Sequence, residues 1–285
     1  MRLRPKTVYY TMCLLSLVLT GSLVAQTTTE IATEEGNTVN TRPDSSSPAA
    51  LKIIQNYITA SGGYKNHLNI KSILAKGTIT EANLTRSFEL IETSEGLRHI
   101  TYRWRKQGRD HVETMASNGS IVWSQQTAPK SIPAKVIKGA EAVHFINQFW
   151  FLNPALAAKK TDFVYAIQGS AKVFSRSTYL VIAYNPQNVR SWFYFDKETF
   201  LPIRWGGLGK VAGSEEYLDY RSTRFEYTDG VLRPKAIDLI VENDAFGTIN
   251  FSSIRSNVEV DPESFELPVY ESPVLRQKQT IEPIQ

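Results

Sequence analysis

The chain has 285 residues, of which 42% are hydrophobic, 11% aromatic and 21% charged, a balance that supports a sizeable core and excludes a disulfide-stapled miniprotein or a wholly disordered chain. The formal charge is +4, but Arg2, Arg4 and Lys6 lie in the first 25 residues, and without that segment 29 basic residues face 28 acidic ones. Nucleic-acid binding, which needs a concentrated basic surface, loses its compositional support.

Residues 1–25 have the form of a secretory signal: a short basic stretch, then an apolar run from Met12 to Ala25 interrupted by Ser16, Thr20, Gly21 and Ser22. At roughly fourteen residues the run falls short of the ~20 that span a bilayer as a helix. Cleavage after Ala25 is expected, with delivery to the periplasm or the exterior. The single cysteine, Cys13, lies inside this run behind Tyr10, Thr11 and Met12. Those are not the small residues that precede a lipid-attachment cysteine, so the mature chain is expected to carry neither a lipid anchor nor a reactive thiol.

Residues 26–47 are rich in Thr, Glu, Asn, Asp and Ser and read as a flexible leader. A domain is expected over 48–268, followed by an extended tail over 269–285. Ser47 is a plausible N-cap with Pro48 at the first helical position, and Gly62-Gly63 supplies a left-handed stop. Between them Leu51, Ile54 and Ile58, widened by Ile53 and Tyr57, predict an amphipathic helix.

From about residue 70 to 126 the apolar period changes from helical to two, which predicts a meander of antiparallel strands. Asn118-Gly119 marks a hairpin, and Asp229-Gly230 repeats the signal later, because a type I′ turn needs positive φ at both central residues. The strands pause over 134–160, where Val136, Ala140, Val143, Phe145, Ile146, Phe149, Trp150, Phe151 and Leu152 predict a helix apolar around much of its circumference, which must be covered on more than one side. Strands resume near Phe163 and continue to Ser256. Gly206-Gly207-Leu208-Gly209 reads as a flexible loop.

The fold class is therefore mainly β with a few helices: a curved antiparallel half-barrel of about ten or eleven strands, with helices covering its concave face. Charges at Arg103, Arg105, Asp219, Arg221, Asp238 and Glu242 break the apolar band that an outer-membrane barrel would need.

The search for chemistry finds little. His67, His99, His111 and His144 have no metal-motif spacing, and only His99 and His111 are placed to face one another on neighbouring strands. Glu215-Glu216 and Asp196 with Glu198 read as solvated turn carboxylates. No catalytic residue, cofactor or metal is expected, and the chain is not read as an enzyme. What stands out is greasy surface. Trp104, Trp123, Trp192 and Phe193, with Phe145, Ile146, Phe149, Trp150 and Phe151, are the candidate lining of a hydrophobic cavity and its lid.

The opening helix ending in Gly62-Gly63, the first strand Ile70-Lys71-Ser72-Ile73-Leu74-Ala75-Lys76-Gly77-Thr78, Trp123, the run from Phe193-Tyr194-Phe195-Asp196 through Glu198, Thr199, Leu201 and Pro202 to Arg204, and the closing Asn257, Val258, Val260, Phe265, Leu267 and Pro268 together resemble the LolA/LolB-type family of periplasmic lipoprotein carriers and the related outer-membrane lipoprotein-sorting proteins. The resemblance spans Pro48 to Pro268. It implies an unclosed barrel with a helical lid, a cavity for acyl chains, lid residues among Phe145, Ile146, Phe149, Trp150 and Phe151, and a lid latched by a buried arginine. Arg86, Arg98 and Arg103 lie on early strands, and sequence does not choose among them. The functional expectation is a periplasmic or secreted carrier of lipid or lipid-modified protein, with membrane donor and acceptor proteins as partners. The alternative is an envelope lipid-sensing or regulatory interaction module of the same fold without transport activity.

Overall fold

The computed structural model describes residues 42–81, 84–147, 163–186, 188–211, 214–222, 224–241 and 244–268. The segments expected as signal, most of the leader and the tail lie outside them, as do Phe149, Trp150 and Phe151. Helix α1 spans Pro48–Ala60. The Ser47 hydroxyl accepts from the Ala50 amide at 3.1 Å, and the helix ends in a Schellman pair, Gly63 N to Ile58 O at 2.8 Å and Gly62 N to Thr59 O at 3.4 Å. Gly62 has φ of +128°, and a Cβ there would lie 2.1 Å from the Gly230 carbonyl oxygen. Ala50, Ile53, Ile54 and Ile58 form the buried stripe. Leu51 is left exposed because it lies at the rim of that stripe. The last leader residues are tied down: Ser47 N donates to Tyr165 O, and Tyr165 N donates to the Ser46 hydroxyl. A short helix α2, Tyr64–Asn69, follows. At six residues it is too short for apolar periodicity to reveal.

Among the described residues, thirteen strands form one antiparallel sheet. They are β1 Ser72–Glu81, β2 Leu84–Thr93, β3 Arg98–Lys106, β4 Arg109–Ser117, β5 Val122–Ala128, β6 Lys135–Ile137, β7 Val164–Val173, β8 Arg176–Tyr184, β9 Arg190–Asp196, β10 Pro202–Val211, β11 Ser214–Arg221, β14 Ala236–Val241 and β15 Asp244–Ser256. Their spatial order is β6-β5-β4-β3-β2-β1-β15-β14-β11-β10-β9-β8-β7. β12 Phe225–Thr228 and β13 Val231–Pro234 form a separate hairpin around Asp229 and Gly230, with φ of 51° and 77°. Thirteen strands plus two exceed the expected ten or eleven because short strands were read as parts of longer ones. The chain over 214–228, for example, holds two strands, β11 and β12, parted at Ser222.

β6 and β7 are the two edges and do not pair, so the sheet remains an open half-barrel. Its curvature follows from helix α3, Ala140–Asn147, which lies against both β5 and β10. Those strands are eight places apart in the sheet, about 38 Å if it were flat at ~4.8 Å per strand. A helix of about 10 Å diameter touches both only if the sheet wraps around it.

The concave face carries the core. Cross-strand register aligns Ile73, Ala75, Ile79, Phe88, Leu90, Ile100 and Met115 from the first half with Ile249, Ile237, Tyr220, Trp205, Phe193 and Val181 from the second. All belong to one buried cluster with Ile53, Ile54 and Ile58 of α1. The glycine run at 206–209 is strand, not loop. Gly206 stands opposite Trp192 on β9, and a Cβ there would lie 2.7 Å from the indole. Glycine is needed in this strand to seat a large ring, whereas composition alone suggests a flexible loop.

Candidate functional site

α3 begins after Gly139, whose φ is 68°, and is the described part of the broad apolar helix expected over 134–160. The start of that range is strand β6 instead. Phe145 faces the sheet and is buried, whereas Ile146, the next residue around the helix, is 49% exposed. α3 is also held by polar contacts. Arg98, on the concave side of β3, donates through Nη1 to the Phe145 carbonyl oxygen at 2.7 Å, and its guanidinium lies 5.5 Å over the Phe145 ring. Nη2 of Arg98 meets Glu92 at 2.5 Å, with both side chains nearly inaccessible. On the far side, the His144 Nε2 and Tyr220 hydroxyl are 3.4 Å apart. Burial, reinforced by the Arg98 charge, pushes the His144 imidazole down to about 3, so it is neutral near pH 7.

Each predicted lining residue among the described residues now has a position, while Phe149, Trp150 and Phe151 lie outside them. Phe193 is concave and buried, stacked on Phe195 at 6.1 Å. Trp104 is half-buried at the far end of β3, stacked on His111 at 5.0 Å. Trp123 and Trp192 are on the convex side and line no concave cavity, which corrects their assignment. The register explains this: Val122, Ser124 and Phe193 take the inward positions next to them. Trp123 donates through Nε1 to the Phe265 carbonyl at 2.9 Å, under the short 3₁₀ turn Pro262–Phe265. Trp192 donates to Asp219 at 2.8 Å. Trp205 and Tyr220, stacked at 6.0 Å, are the concave aromatics of the second half.

Phe265 is almost fully buried against the convex face beside His99 and Trp123. Its truncation to alanine is expected to cost roughly 3–5 kcal/mol in a urea titration while leaving the affinity for any concave-face ligand unchanged. A loss of affinity in the folded variant would show that the convex buttress shapes the concave face.

The first half of the concave face also holds a buried polar group. Glu81 and Arg86 form an ion pair with both side chains 2% accessible, and the Arg86 guanidinium lies 5.3 Å over the Tyr102 ring. Glu113 stands opposite Tyr102, and burial pushes its carboxyl up to about 7 against the pull of Arg86 and Lys135. Sequence reasoning placed arginines on these strands but missed these acids, because an inward charge in an alternating strand has the same spacing as an outward one. His99 and His111 do not face each other: His99 is convex opposite Ala116, and His111 is concave opposite Trp104. Among the described residues no three His, Cys, Asp or Glu side chains gather to hold a metal, and no helix is long and apolar enough to cross a membrane. Asp196, read as a solvated carboxylate, is buried and caps the turn after β9 by accepting from the Glu198 and Thr199 amides and the Thr199 hydroxyl.

An open antiparallel half-barrel with an apolar concave face under helices is a LolA-like fold. Among solved structures, the chain is similar to a LolA superfamily protein from Nitrosomonas europaea, with a TM-score of 0.51 and 12% identity over 76% of this chain and 97% of that one. It is similar also to a DUF1329 family protein from Desulfovibrio piger, with a TM-score of 0.50 and 15% identity over 76% and 97% of the two chains. No family model matches the sequence, and no curated protein matches it.

Proposed function

We propose that the protein is a non-enzymatic carrier, secreted to the periplasm or beyond, that shelters the acyl chains of a lipid or lipid-modified protein between the concave face and α3. The observation that carries this reading is the attachment of α3. A helix laid over an apolar concavity is held in part by the Arg98 side chain donating to a backbone carbonyl, which is a contact that can be released and remade without disturbing the sheet ladder. The energetics require such a shelter: at ~0.8 kcal/mol per CH₂, exposing a chain of about fifteen methylenes to water costs on the order of 12 kcal/mol. Phe145 and Phe193 supply lining, as does Trp104 at the far end. Ile146 and, outside the described residues, Phe149, Trp150 and Phe151 belong to the lid. Donor and acceptor membranes or their proteins would meet the lid side.

The test is native mass spectrometry of protein purified without detergent, combined with titration of an environment-sensitive fluorescent fatty acid. A saturable 1:1 complex, weakened in folded Phe149→Asp or Trp150→Asp, is the expected result. Protein that is empty as isolated and takes up no acyl ligand overturns the reading.

A further inference from the structure

The convex face carries a polar cavity of about 440 Å³ over strands β3, β2, β1 and β15, on the side of the sheet turned away from α3. Ser87 and Glu89 flank inward Phe88, Thr78 precedes inward Ile79 and Asn250 follows inward Ile249, so all four point outward, as does Arg103 beside inward Tyr102. Register sets Arg103, Ser87, Thr78 and Asn250 opposite one another in a single row across the four strands, about 14 Å from end to end at ~4.8 Å per strand. A bulge opens the space. Lys76 pairs with Ser253 and Gly77 with Phe251, which leaves Ser252 as the extra residue of β15. Glycine is required at position 77 because a Cβ there would stand 2.1 Å from the Asn250 carbonyl oxygen.

The side chains at this cavity define what it takes. Lys76 and Glu89 form an ion pair with 47% and 37% of their side chains exposed. The Arg103 guanidinium is exposed and, among the described residues, joins no hydrogen bond or ion pair, and the Thr78 hydroxyl and Asn250 amide are likewise uncommitted. The Ser87 and Ser252 hydroxyls donate to the carbonyls of Arg103 and Lys76 and keep lone pairs with which to accept. The cavity thus offers one unmatched fork of N–H donors and a set of groups that suit hydroxyls. Neighbouring charges set a direction. Arg105 lies two residues beyond Arg103 on the same side, 3.9 Å from Asp110, and Arg255 stands opposite Leu74, two residues from Lys76. Asp238 stands opposite Thr248, two residues from Asn250. An anionic group is therefore favoured at the Arg103 end and neutral hydroxyls at the Asn250 end. A peptide is the poorer fit, because all four strands are paired on both edges and offer no backbone ladder to an incoming chain. We infer that this cavity binds a uronate, a sugar whose carboxylate is held by Arg103 and whose hydroxyls meet Ser87, Thr78 and Asn250. It lies on the opposite face from the acyl shelter and stands independently of the carrier reading.

Galacturonate, galactose and acetate separate the parts of that ligand. Each is titrated at pH 7 and low salt while the backbone amide signals of residues 76–78, 87–89 and 250–252 are followed by NMR. Galacturonate is expected to shift them saturably and to bind about tenfold or more tightly than galactose or acetate, because only it engages both ends of the row. Arg103→Gln, a change at an exposed side chain, is expected to bring galacturonate to the level of galactose. Asn250→Ala is expected to weaken both sugars by about threefold, the loss of one hydrogen bond. Trigalacturonate tells the source: tighter binding than the monosaccharide identifies a polysaccharide and equal binding a free sugar, and either supports the site. Acetate or galactose binding as tightly as galacturonate, or a galacturonate affinity unmoved by Arg103→Gln, overturns it, as does the failure of both uronates to move these amides.

Discussion

Arg98→Leu is expected to destabilise the protein by about 3–5 kcal/mol and to loosen α3 from the sheet. The first effect comes from Glu92. Its carboxylate is buried against the guanidinium, and removing one member of a buried pair strands the other charge in a medium that solvates it poorly. The second comes from the lost donor to the Phe145 carbonyl and the lost cation over its ring. A double variant separates the two. Glu92→Leu with Arg98→Leu replaces the pair by apolar volume and is expected to recover most of the stability in urea titration. It does not restore the bond to α3, so amide exchange over residues 140–147 is expected to be faster than in the parent in both variants. If exchange in α3 is unchanged in the double variant, Arg98 is a packing residue and not the latch.

Acidification from pH 7 toward 4 is expected to lower stability through two histidines. Burial holds His144 down to about 3 and His67 to about 4, the nearby Arg98 and Arg233 charges adding to each. His67 Nε2 also lies 2.8 Å from the Ser61 hydroxyl. In the unfolded chain both titrate at 6.5. The stability they provide is therefore complete above that pH and is lost as the pH falls, because only the unfolded chain takes up the protons. Each such proton costs roughly 1.4 kcal/mol per pH unit. Glu113 acts in the opposite sense: its folded carboxyl, raised to about 7 from 4.5, binds a proton that the unfolded chain leaves off in the same window. Glu113→Gln is accordingly expected to steepen the fall between pH 6.5 and 4.5 by about 1.4 kcal/mol per unit, and His144→Phe to flatten it by about the same. Urea midpoints across that range check both. A slope that His144→Phe leaves untouched would mean that the imidazole is hydrated in the folded state.

Sequence signals were most reliable where local chemistry decides structure. Ser47, Pro48 and the glycine pair bracket α1 because capping depends on adjacent residues, and Asp229-Gly230 turns because both residues take positive φ. The alternation that announces strands also tells inward from outward, but only where one face is wet. At Val122 and Trp123 both neighbours are buried, because the turn carrying Phe265 returns from 142 residues away to cover the convex side. No pattern within β5 reveals such a cover, so Trp123 was counted with the cavity. The same limit hid Arg98 as the contact to α3: its partner is a backbone carbonyl 47 residues on, and a carbonyl has no sequence signature. The Asn118-Gly119 hairpin joins β4 to β5 as expected, but through a longer loop in which the Asn118 side-chain oxygen accepts from the Ser120 and Ile121 amides.

The two edge strands, β6 and β7, are consecutive in the chain, and the connection between them contains α3. Because α3 touches strands from both halves of the sheet, β5 and β10, flattening the sheet would strip the helix from one of them. The position of this one short helix is therefore a gauge of how far apart the two rims stand.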